Sequence, residues 1–472
     1  MTRIVVGPFN RVEGDLEVSL DMAGGRVQAA YVNSPLFRGF EQILIGRAPL
    51  DALAIVPRIC GICSVAQSAA AASALADAMG IVPTPNGVLA RHLIQATENL
   101  ADHLTHFYLF FMPDFARPAY AGRPWHDVVV RRFAAVRGEA SADVLPARAG
   151  FLKLMGFLAG RWPHTLAIQP GGSTRAVTDG ERIRLLAQLR EFRSFLEKRL
   201  FGDTLANVAQ LSSKAQLLAW GDGRSADFPA FLAAASDLGL DKLGRASDAF
   251  LSYGAYGILP AGTWRAGEAA AFDPQAINED TTHAWLAQGN PRHPEQGETI
   301  VDANKAAAYT WCKAPRYARQ AYEVGALARQ VIAGQPLLLD WVTRDGGSVM
   351  ARVVARLLEL ALIVPEMERW VQALQPGEAF CTHGDMPDEA SGTGLVEAAR
   401  GSLGHWLSVR RGRIERYQII APTTWNFSPR DGNEQPGPLE QALVGLPAGD
   451  GALPSVQHVV RSFDPCMVCT VH

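Results

Sequence analysis

The pattern of hydrophobic and polar positions begins with an alternation that is typical of β-strands. Every second residue is apolar within Leu16–Met22, and a similar alternation resumes within Val27–Tyr31. Gly24 and Gly25 lie between the two runs, where a tight turn needs residues that tolerate positive φ. The first 35 residues are therefore predicted to form a β-hairpin.

Further along the chain, apolar residues recur with the period of an α-helix. An alanine-rich run without proline ends at Gly80 and predicts a helix over Ser64–Met79. Leucine and phenylalanine residues at helical spacing predict a helix over Leu89–Met112 that is too apolar to lie at the surface. Similar patterns predict helices over Asp179–Leu200, Arg316–Ala333 and Ser348–Gln375. These helices are expected to form a central bundle.

Three segments differ from this helical pattern. Residues 113–150 are rich in Pro, Gly and Arg and predict loops with short helices, whereas residues 205–310 predict a small, partly β excursion. A second β-hairpin is predicted from Arg400 to Ile420, with its turn at Arg410–Gly412. The predicted fold class is mainly α with smaller β elements (α+β), with β-hairpins at the periphery of the bundle. Since the sequence shows no repeats and no long linker, residues 1–472 are expected to form a single interwoven domain.

Composition is typical of a globular protein that binds neither nucleic acid nor a membrane. Hydrophobic residues make up 48% of the chain and charged residues 19%, and the net charge of −3 disfavours polyanionic partners. The alanine-rich run is interrupted by Asp77, so no membrane span is expected. No extended apolar segment precedes Gly7 and Pro8, so no signal peptide is predicted and a cytoplasmic location is expected.

Two cysteine pairs carry the strongest chemical signal in the sequence. Each is a Cys-x-x-Cys motif, and the pairs lie at opposite ends of the chain: Cys60 with Cys63, and Cys466 with Cys469. A gap of two residues lets both thiolates of a pair bind one metal ion, and four converging thiolates suit a soft transition metal. Structural zinc is the main alternative, because zinc sites use the same spacing. A dithiol redox pair would leave the second motif unexplained.

The residues around the two pairs resemble the sequence signatures of the nickel–iron hydrogenase large subunit. The matching segments occur in the family's order along essentially the whole chain: Arg11–Gly14, Arg38–Glu41, Arg58–Cys63, His106–Tyr108, Trp162–His164, Gly171–Thr174, Arg400–Gly401 with His405, Thr424–Asn426 and Asp464–His472. One Cys-x-x-Cys motif is weakly specific, whereas this combination is highly specific. The resemblance favours nickel over zinc and implies the large-subunit fold, with the N- and C-terminal segments meeting at a metal site.

The resemblance implies a nickel–iron centre that cleaves H2 heterolytically. All four paired cysteines bind nickel in the family, and Cys63 and Cys469 match the two that also bridge to an iron. That iron carries cyanide and carbon monoxide ligands made by other proteins. Thiolates are strong donors to soft metals, so the residue types agree with this chemistry. The proton released from H2 is expected on Cys466, Glu13 or Arg400.

Four charged residues gain a catalytic interpretation from the family. Glu13 matches the glutamate that relays protons from a cysteine ligand, although composition alone would make it a solvated charge. Asp102 lies on the apolar helix and would ordinarily be a hydrogen-bonded buried group. Together with Arg400 and Asp464, it is expected to surround the metal ligands and orient the reaction.

The family also implies a second metal and several partner proteins. Glu41 and His472 match residues that hold magnesium, or iron in some members. Maturation proteins and a C-terminal protease act on the family, and a chain that ends at His472 fits the processed form. Cys312 and Cys381 are expected to be inert thiols and cannot ligate an iron–sulfur cluster. Electron transfer therefore implies an iron–sulfur small subunit.

Several positions depart from the usual family pattern and resemble the regulatory, hydrogen-sensing subclass. Asp15 and Gln67 stand where most members have histidine. Ile62 and Phe110 are bulkier than the valine and leucine common in the family, and helical spacing predicts that Phe110 shares a face with Asp102. Larger side chains would narrow an apolar gas channel, and O2 is larger than H2.

The sequence is therefore interpreted as a hydrogen sensor with slow turnover, whose small subunit reports to a histidine kinase. An energy-conserving uptake hydrogenase is the first alternative. A catalytically inactive scaffold, related to respiratory quinone-reductase subunits, is the second, and the four retained cysteines argue against it.

Overall fold

The computed structural model describes residues 2–447 and 452–470 and confirms a mainly helical α+β fold. The helices are α1 (Phe40–Leu44), α2 (Ala52–Ile55), α3 (Ser64–Met79), α4 (Pro85–Thr105), α5 (His126–Phe133), α6 (Ala140–Ala159), α7 (Asp179–Phe195), α8 (Leu205–Ala209), α9 (Lys214–Gly221), α10 (Asp227–Asp237), α11 (Ala326–Ile332), α12 (Pro336–Asp345), α13 (Val349–Ala373), α14 (Pro422–Asn426), α15 (Pro438–Leu443) and α16 (Ala452–Ser462). The strands are β1 (Thr2–Val6), β2 (Glu17–Ala23), β3 (Arg26–Asn33), β4 (Ile168–Gln169), β5 (Gly172–Ser173), β6 (Ala249–Ala255), β7 (Leu259–Arg265), β8 (Glu268–Ala270), β9 (Ile277–Asp280), β10 (Ala314–Tyr317), β11 (Glu389–Ala398), β12 (Gly401–Arg410) and β13 (Arg413–Ile420).

Four long helices form the centre of the fold, and the apolar periodicity predicted three of them, α4, α7 and α13, but not α6. Helix α4 packs against α6 and α13, and α7 packs against the same two helices. Three of the four begin at a hydroxyl residue whose oxygen accepts a hydrogen bond from a backbone N–H of the first turn: Thr84, Thr178 and Ser348. Turns of π-helix, His106–Phe111 and Leu196–Phe201, extend α4 and α7.

Helix α3 is buried on almost every side because its small residues let a strand approach its backbone. Strand β11 lies directly on α3. A β-carbon added at Gly392 or Gly394 would lie about 2 Å from a backbone oxygen of the helix, at 2.1 Å from Ala74 O and 2.0 Å from Ala70 O respectively. Only glycine fits at these two positions of the strand. The alanine-rich composition of α3 thus fixes the sheet that carries Arg400.

The two predicted hairpins are confirmed, and each belongs to a three-stranded antiparallel sheet. Strand β2 pairs with β3 on one side and with β1 on the other, in a register that places Thr2 opposite Met22. Strand β12 pairs with β13, as predicted, and with β11, which the sequence pattern missed. A further sheet joins β6, β7 and β8. The last residue before Arg400 that is part of a strand is Ala398.

Three segments differ from the sequence-based expectations. The helix predicted over Arg316–Ala333 is wrong: β10 and α11 occupy its ends, and Gly325 between them has φ 135°. Residues 113–150 contain α5 and the first half of the long α6, whose Pro146 suggested a loop. Residues 205–310 contain the expected strands, but they begin with three helices, α8 to α10. None of the described helices has the length and apolar character that crossing a membrane requires.

Candidate metal centre

Four cysteine sulfurs converge in the buried interior, where the two ends of the chain meet. The Sγ atoms of Cys60 and Cys466 lie 3.4 Å apart, and those of Cys63 and Cys469 lie 3.2 Å apart. All four sulfurs lie within 4.8 Å of one another. None of them forms a disulfide, and each residue is at least nine-tenths buried. The arrangement therefore offers one dry pocket of four soft donors, as the two motifs predicted.

Short turns hold each cysteine pair in place. Cys60 follows a single 3₁₀ turn, and its sulfur accepts a hydrogen bond from Ile62 N at 3.3 Å. Cys63 is the N-cap residue of α3, although its side chain makes no capping hydrogen bond. The second pair lies in another 3₁₀ turn, closed by a 3.0 Å hydrogen bond from Cys469 N to Cys466 O.

The sulfurs cannot all be ionised without a cation. Hydrogen bonds from the other thiols, that of Cys466 above all, lower the pKa of Cys60 well below its usual value. The same sulfur–sulfur hydrogen bonds, together with burial, raise the pKa of Cys63 well above its usual value. One thiolate is thus stabilised at the expense of its neighbours. A bound metal cation would remove this conflict, so the donor set fits a metal centre.

Glu98 fixes the start of α3, and sequence analysis missed this role. Its carboxylate accepts hydrogen bonds from Val65 N and Ala66 N, both at 2.9 Å, and from the indole Nε1 of Trp162 at 2.8 Å. Burial raises the pKa of Glu98 to about 8 against the opposing effect of these donors. The sequence does contain a signal for this role: Glu98 is a charged residue on the apolar face of α4, one helical turn before Asp102.

The segment that carries Glu13 is clamped directly onto the second cysteine pair. Glu13 N donates to Pro465 O at 3.3 Å, and Met467 N donates to Glu13 O at 2.7 Å. Gly14 has φ 80°, and a β-carbon there would lie 2.9 Å from Val468 N. The Glu13 side chain is half-buried, and burial raises its pKa with a further contribution from nearby Cys60. The segment Arg11–Gly14 therefore packs directly against the second cysteine pair.

Arg400 forms a buried ion cluster with the two predicted aspartates. Its Nη1 lies 3.0 Å from Asp102 Oδ2, and its Nη2 lies 3.1 Å from Asp464 Oδ1. Its Nε donates to Asp464 O at 2.9 Å. Burial raises the pKa of Asp102 to about 7. Burial also opposes ionisation of Asp464, but Arg400 together with His106 and Arg356 lowers the pKa of Asp464. Burial lowers the pKa of Arg400, but the two carboxylates and then the nearby Cys466 and Cys63 sulfurs raise it well above its usual value, so the ion cluster lies beside the cysteines.

The residues that suggested a gas channel occupy different environments. Ile62 lies between the first two cysteines, is half-buried and packs against the hydrophobic core. Phe110 is also half-buried, but it lies in the π-helical turn after α4. A π turn needs more residues than an α turn, so the spacing that would place Phe110 above Asp102 is altered. Gln67, one of the unusual positions, lies with its Oε1 2.8 Å from His405 Nε2.

The carboxylate of Glu41 is buried and already has several partners. Lys313 Nζ donates to it at 3.0 Å, Ile419 N donates at 2.8 Å, and the hydroxyl of Thr299 also donates. Glu279 lies 3.4 Å from the same ammonium group. His472, the other predicted ligand of a second metal, lies outside the described residues. Any cation at Glu41 would therefore share this carboxylate with Lys313.

The two remaining cysteines lie apart from the four-sulfur cluster. Cys312 is fully buried, and burial raises the pKa of its thiol. Cys381 is half-buried, and its pKa is also raised by burial. Raised pKa values make both thiols poor nucleophiles and poor ligands at neutral pH, as expected from the sequence.

Comparison with known proteins assigns the chain to a family. The family model described as "Nickel-dependent hydrogenase" matches residues 38–122 and 142–472. The chain belongs to this hydrogenase family. It is a hydrogenase large subunit, and such subunits pair with a small subunit and act on H2. This assignment favours nickel over structural zinc at the four cysteines.

Relatives match the hydrogenase chain over its full length. The "Periplasmic [NiFeSe] hydrogenase large subunit" of Desulfomicrobium baculatum is 32% identical over 511 residues, which cover 100% of this chain and 95% of the relative. The "Hydrogenase-2 large chain" of Escherichia coli K12 is 25% identical, with 100% and 97% covered. The reduced Ni-Fe-Se hydrogenase structure from D. vulgaris Hildenborough superposes with a TM-score of 0.85 at 30% identity, with both chains fully covered.

Proposed function

We propose that the four clustered cysteines hold nickel and an iron that carries cyanide and carbon monoxide. The observation that carries this proposal is the convergence of four free, buried thiols within 4.8 Å in a nickel-dependent hydrogenase fold. All four would bind nickel, and Cys63 and Cys469 would also bind the iron. When bound, the metals supply electrophilic sites that polarise H2.

The residues around the four cysteines would accept the proton released from H2 and transfer it away from the metals. The Glu13 backbone is hydrogen-bonded on both sides of Cys466, and its half-buried carboxyl lies close enough to Cys60 for that sulfur to raise its pKa. A group between the buried centre and the outside is well placed to pass a proton outward. The guanidinium of Arg400 is fixed by two carboxylates and would present its charge toward the reacting H2. Asp102 and Asp464 would orient Arg400.

We also propose that the enzyme is a hydrogen sensor of the regulatory subclass that signals to a histidine kinase. Support comes from Asp15 and Gln67 at positions where most family members have histidine, and from the bulk of Ile62 and Phe110. Signalling to a kinase implies a cytoplasmic location. Maturation would involve accessory proteins and a C-terminal protease, and His472 with Glu41 would hold magnesium or iron. The alternative is an energy-conserving uptake hydrogenase, and one relative is named as quinone-reactive.

The sensing proposal predicts that a histidine kinase co-purifies with the large–small subunit complex and that H2 changes its phosphorylation. The measurement is kinase autophosphorylation with and without H2, on the complex and on a variant with Cys63 replaced by serine. The H2 effect should vanish in the variant, because sensing needs the metal centre. A complex without a bound kinase that instead turns over H2 rapidly with a quinone or dye acceptor would contradict the sensing role.

The proposed gas channel predicts a change in oxygen tolerance. The double variant Ile62→Val, Phe110→Leu removes bulk near the centre, at a stability cost of roughly 1–3 kcal/mol. It should keep its H2 activity under nitrogen but lose it progressively in air. The matched control Ile55→Val, Phe195→Leu trims two other half-buried residues and should keep the original half-life. Equal half-lives in air for all three proteins would assign Ile62 and Phe110 to packing alone.

A further inference from the structure

Arg329 is a fully buried arginine in α11 whose five N–H groups all reach an oxygen acceptor. Its Nε and Nη2 donate to the two carboxylate oxygens of Glu359, at 2.8 Å and 2.7 Å. Its Nη1 donates to Glu397 Oε2 and to Ala398 O, both at 3.1 Å. The second N–H of Nη2 donates to Ala399 O at 3.3 Å. All the hydrogen-bond donors of the guanidinium are thus satisfied by protein oxygens, in a site that solvent does not reach.

Three of these acceptors belong to consecutive residues that lead into Arg400. Glu397 and Ala398 end β11, and Ala399 is the residue before Arg400. The N-cap residue of α11 also contacts the other side of Arg400, because a β-carbon at Gly401 would lie only 2.6 Å from Gly325 N. The turn that carries Arg400 is therefore held by hydrogen bonds before it and by close backbone packing after it. A small shift of Arg329 would be transmitted directly to this turn.

The same cluster reaches the partner of Arg400 on α4. The carboxylate of Glu359 lies 3.2 Å from His103 Nε2, and His103 adjoins Asp102 in the sequence. Asp102 is ion-paired with Arg400. Arg329 and Glu359 thus contact the segments that carry both members of that pair. Neither residue contacts a cysteine of the centre among the described hydrogen bonds.

A buried ion cluster of this kind is costly and calls for a reason beyond stability. The cost of desolvating buried ions usually offsets much of their mutual attraction. Apolar residues of similar volume in place of the ion cluster would therefore stabilise the fold about equally well. Arg329 is distinguished by its geometry, since five donors fixed in one plane determine the positions of five oxygens. Lysine keeps the charge but offers three donors from a single nitrogen.

We propose that Arg329 is a positioning residue that sets the placement of the Arg400 guanidinium for H2 cleavage. The proposal rests on the role given to Arg400 under the proposed function. It predicts that Arg329→Lys lowers kcat for H2 oxidation by roughly 10- to 100-fold, as expected for a misplaced catalytic group. The KM for H2 should stay within about twofold, because H2 does not touch Arg329.

A double-mutant cycle in the complete large–small subunit enzyme separates positioning from a general structural role. The variants are Arg329→Lys, Arg400→Lys and their combination. If Arg329 acts through Arg400, the combination should be no slower than Arg400→Lys alone. Arg316→Lys is the matched control, because Arg316 is another buried arginine that bonds to one carboxylate and to backbone oxygens. Its effect should be small and should add to that of Arg400→Lys.

The outcomes distinguish the two proposals. Full activity of Arg400→Lys would contradict the role of Arg400, whereas a slow Arg400→Lys variant with an additive effect of Arg329→Lys would contradict positioning by Arg329.

A crystal structure of Arg329→Lys gives a readout independent of activity: the Arg400–Asp102 contact should be lost. An unmoved Arg400 would overturn the proposal. If Arg329→Lys does not assemble, Glu359→Gln replaces it in the same cycle, because it weakens the bonds that hold Arg329, and it is judged by the same outcomes.

Discussion

Replacing Cys469 with serine should remove nickel from the protein and abolish H2 activity. Its sulfur lies 3.2 Å from that of Cys63 and 3.1 Å from that of Cys466, so it is central to the cluster. A serine hydroxyl stays protonated at neutral pH and is a hard donor, unsuited to a soft metal. The loss should exceed the roughly 10- to 100-fold effect of changing residues that only support a ligand.

The control for this experiment is Cys312→Ser, which changes a buried thiol outside the cluster. This variant should keep one nickel per chain and the activity of the unchanged protein. Nickel would be measured by elemental analysis on folded protein, with the unfolding temperature measured in parallel. Full nickel content in Cys469→Ser would show that the metal is held by other residues.

Glu13→Gln should keep the metals but slow the exchange of H2 with heavy water by roughly 10²- to 10⁴-fold. The amide has the size of the carboxyl, and the two backbone hydrogen bonds that clamp residue 13 do not involve its side chain. An amide cannot accept and release a proton as a carboxylate does. The measurement is isotope exchange by mass spectrometry, which reports proton movement without an external electron acceptor.

Glu17→Gln is the matched control for Glu13, because Glu17 is an exposed glutamate four residues later on β2. Its exchange rate should equal that of the unchanged protein. Exchange at the normal rate in Glu13→Gln, with nickel retained, would remove Glu13 from the proton path.

The parts of the structure that were predictable from sequence are those coded by local patterns. Helix α13 follows from a long apolar period that continues past Pro365, and the hairpin of β2 and β3 follows from alternation around two glycines. The four cysteines were predictable because two Cys-x-x-Cys motifs have the spacing that is typical of metal ligands. In each case the signal lies within short segments of the chain, although only the fold brings the two cysteine motifs together.

The parts that were not predictable depend on contacts between distant residues. Arg316 begins an apparently amphipathic helix, yet its guanidinium is bonded to Asp431 and its backbone belongs to a strand. Glu98 and Arg329 are single charged residues within apolar patterns, and their partners lie far away in the chain. A tertiary contact of this kind leaves no periodic trace in the sequence, so only the folded structure reveals it.

The central claim is that the four-cysteine pocket holds nickel and a diatomic-ligated iron, and the most direct test is to analyse the purified protein for both. Elemental analysis should give about one nickel and at least one iron per four-thiolate site, since the small subunit and the Glu41 site would add further iron. The infrared spectrum should contain cyanide and carbon monoxide stretching bands. Cys469→Ser should lose the nickel. A protein that contains one zinc, with no cyanide or carbonyl bands, would contradict the account.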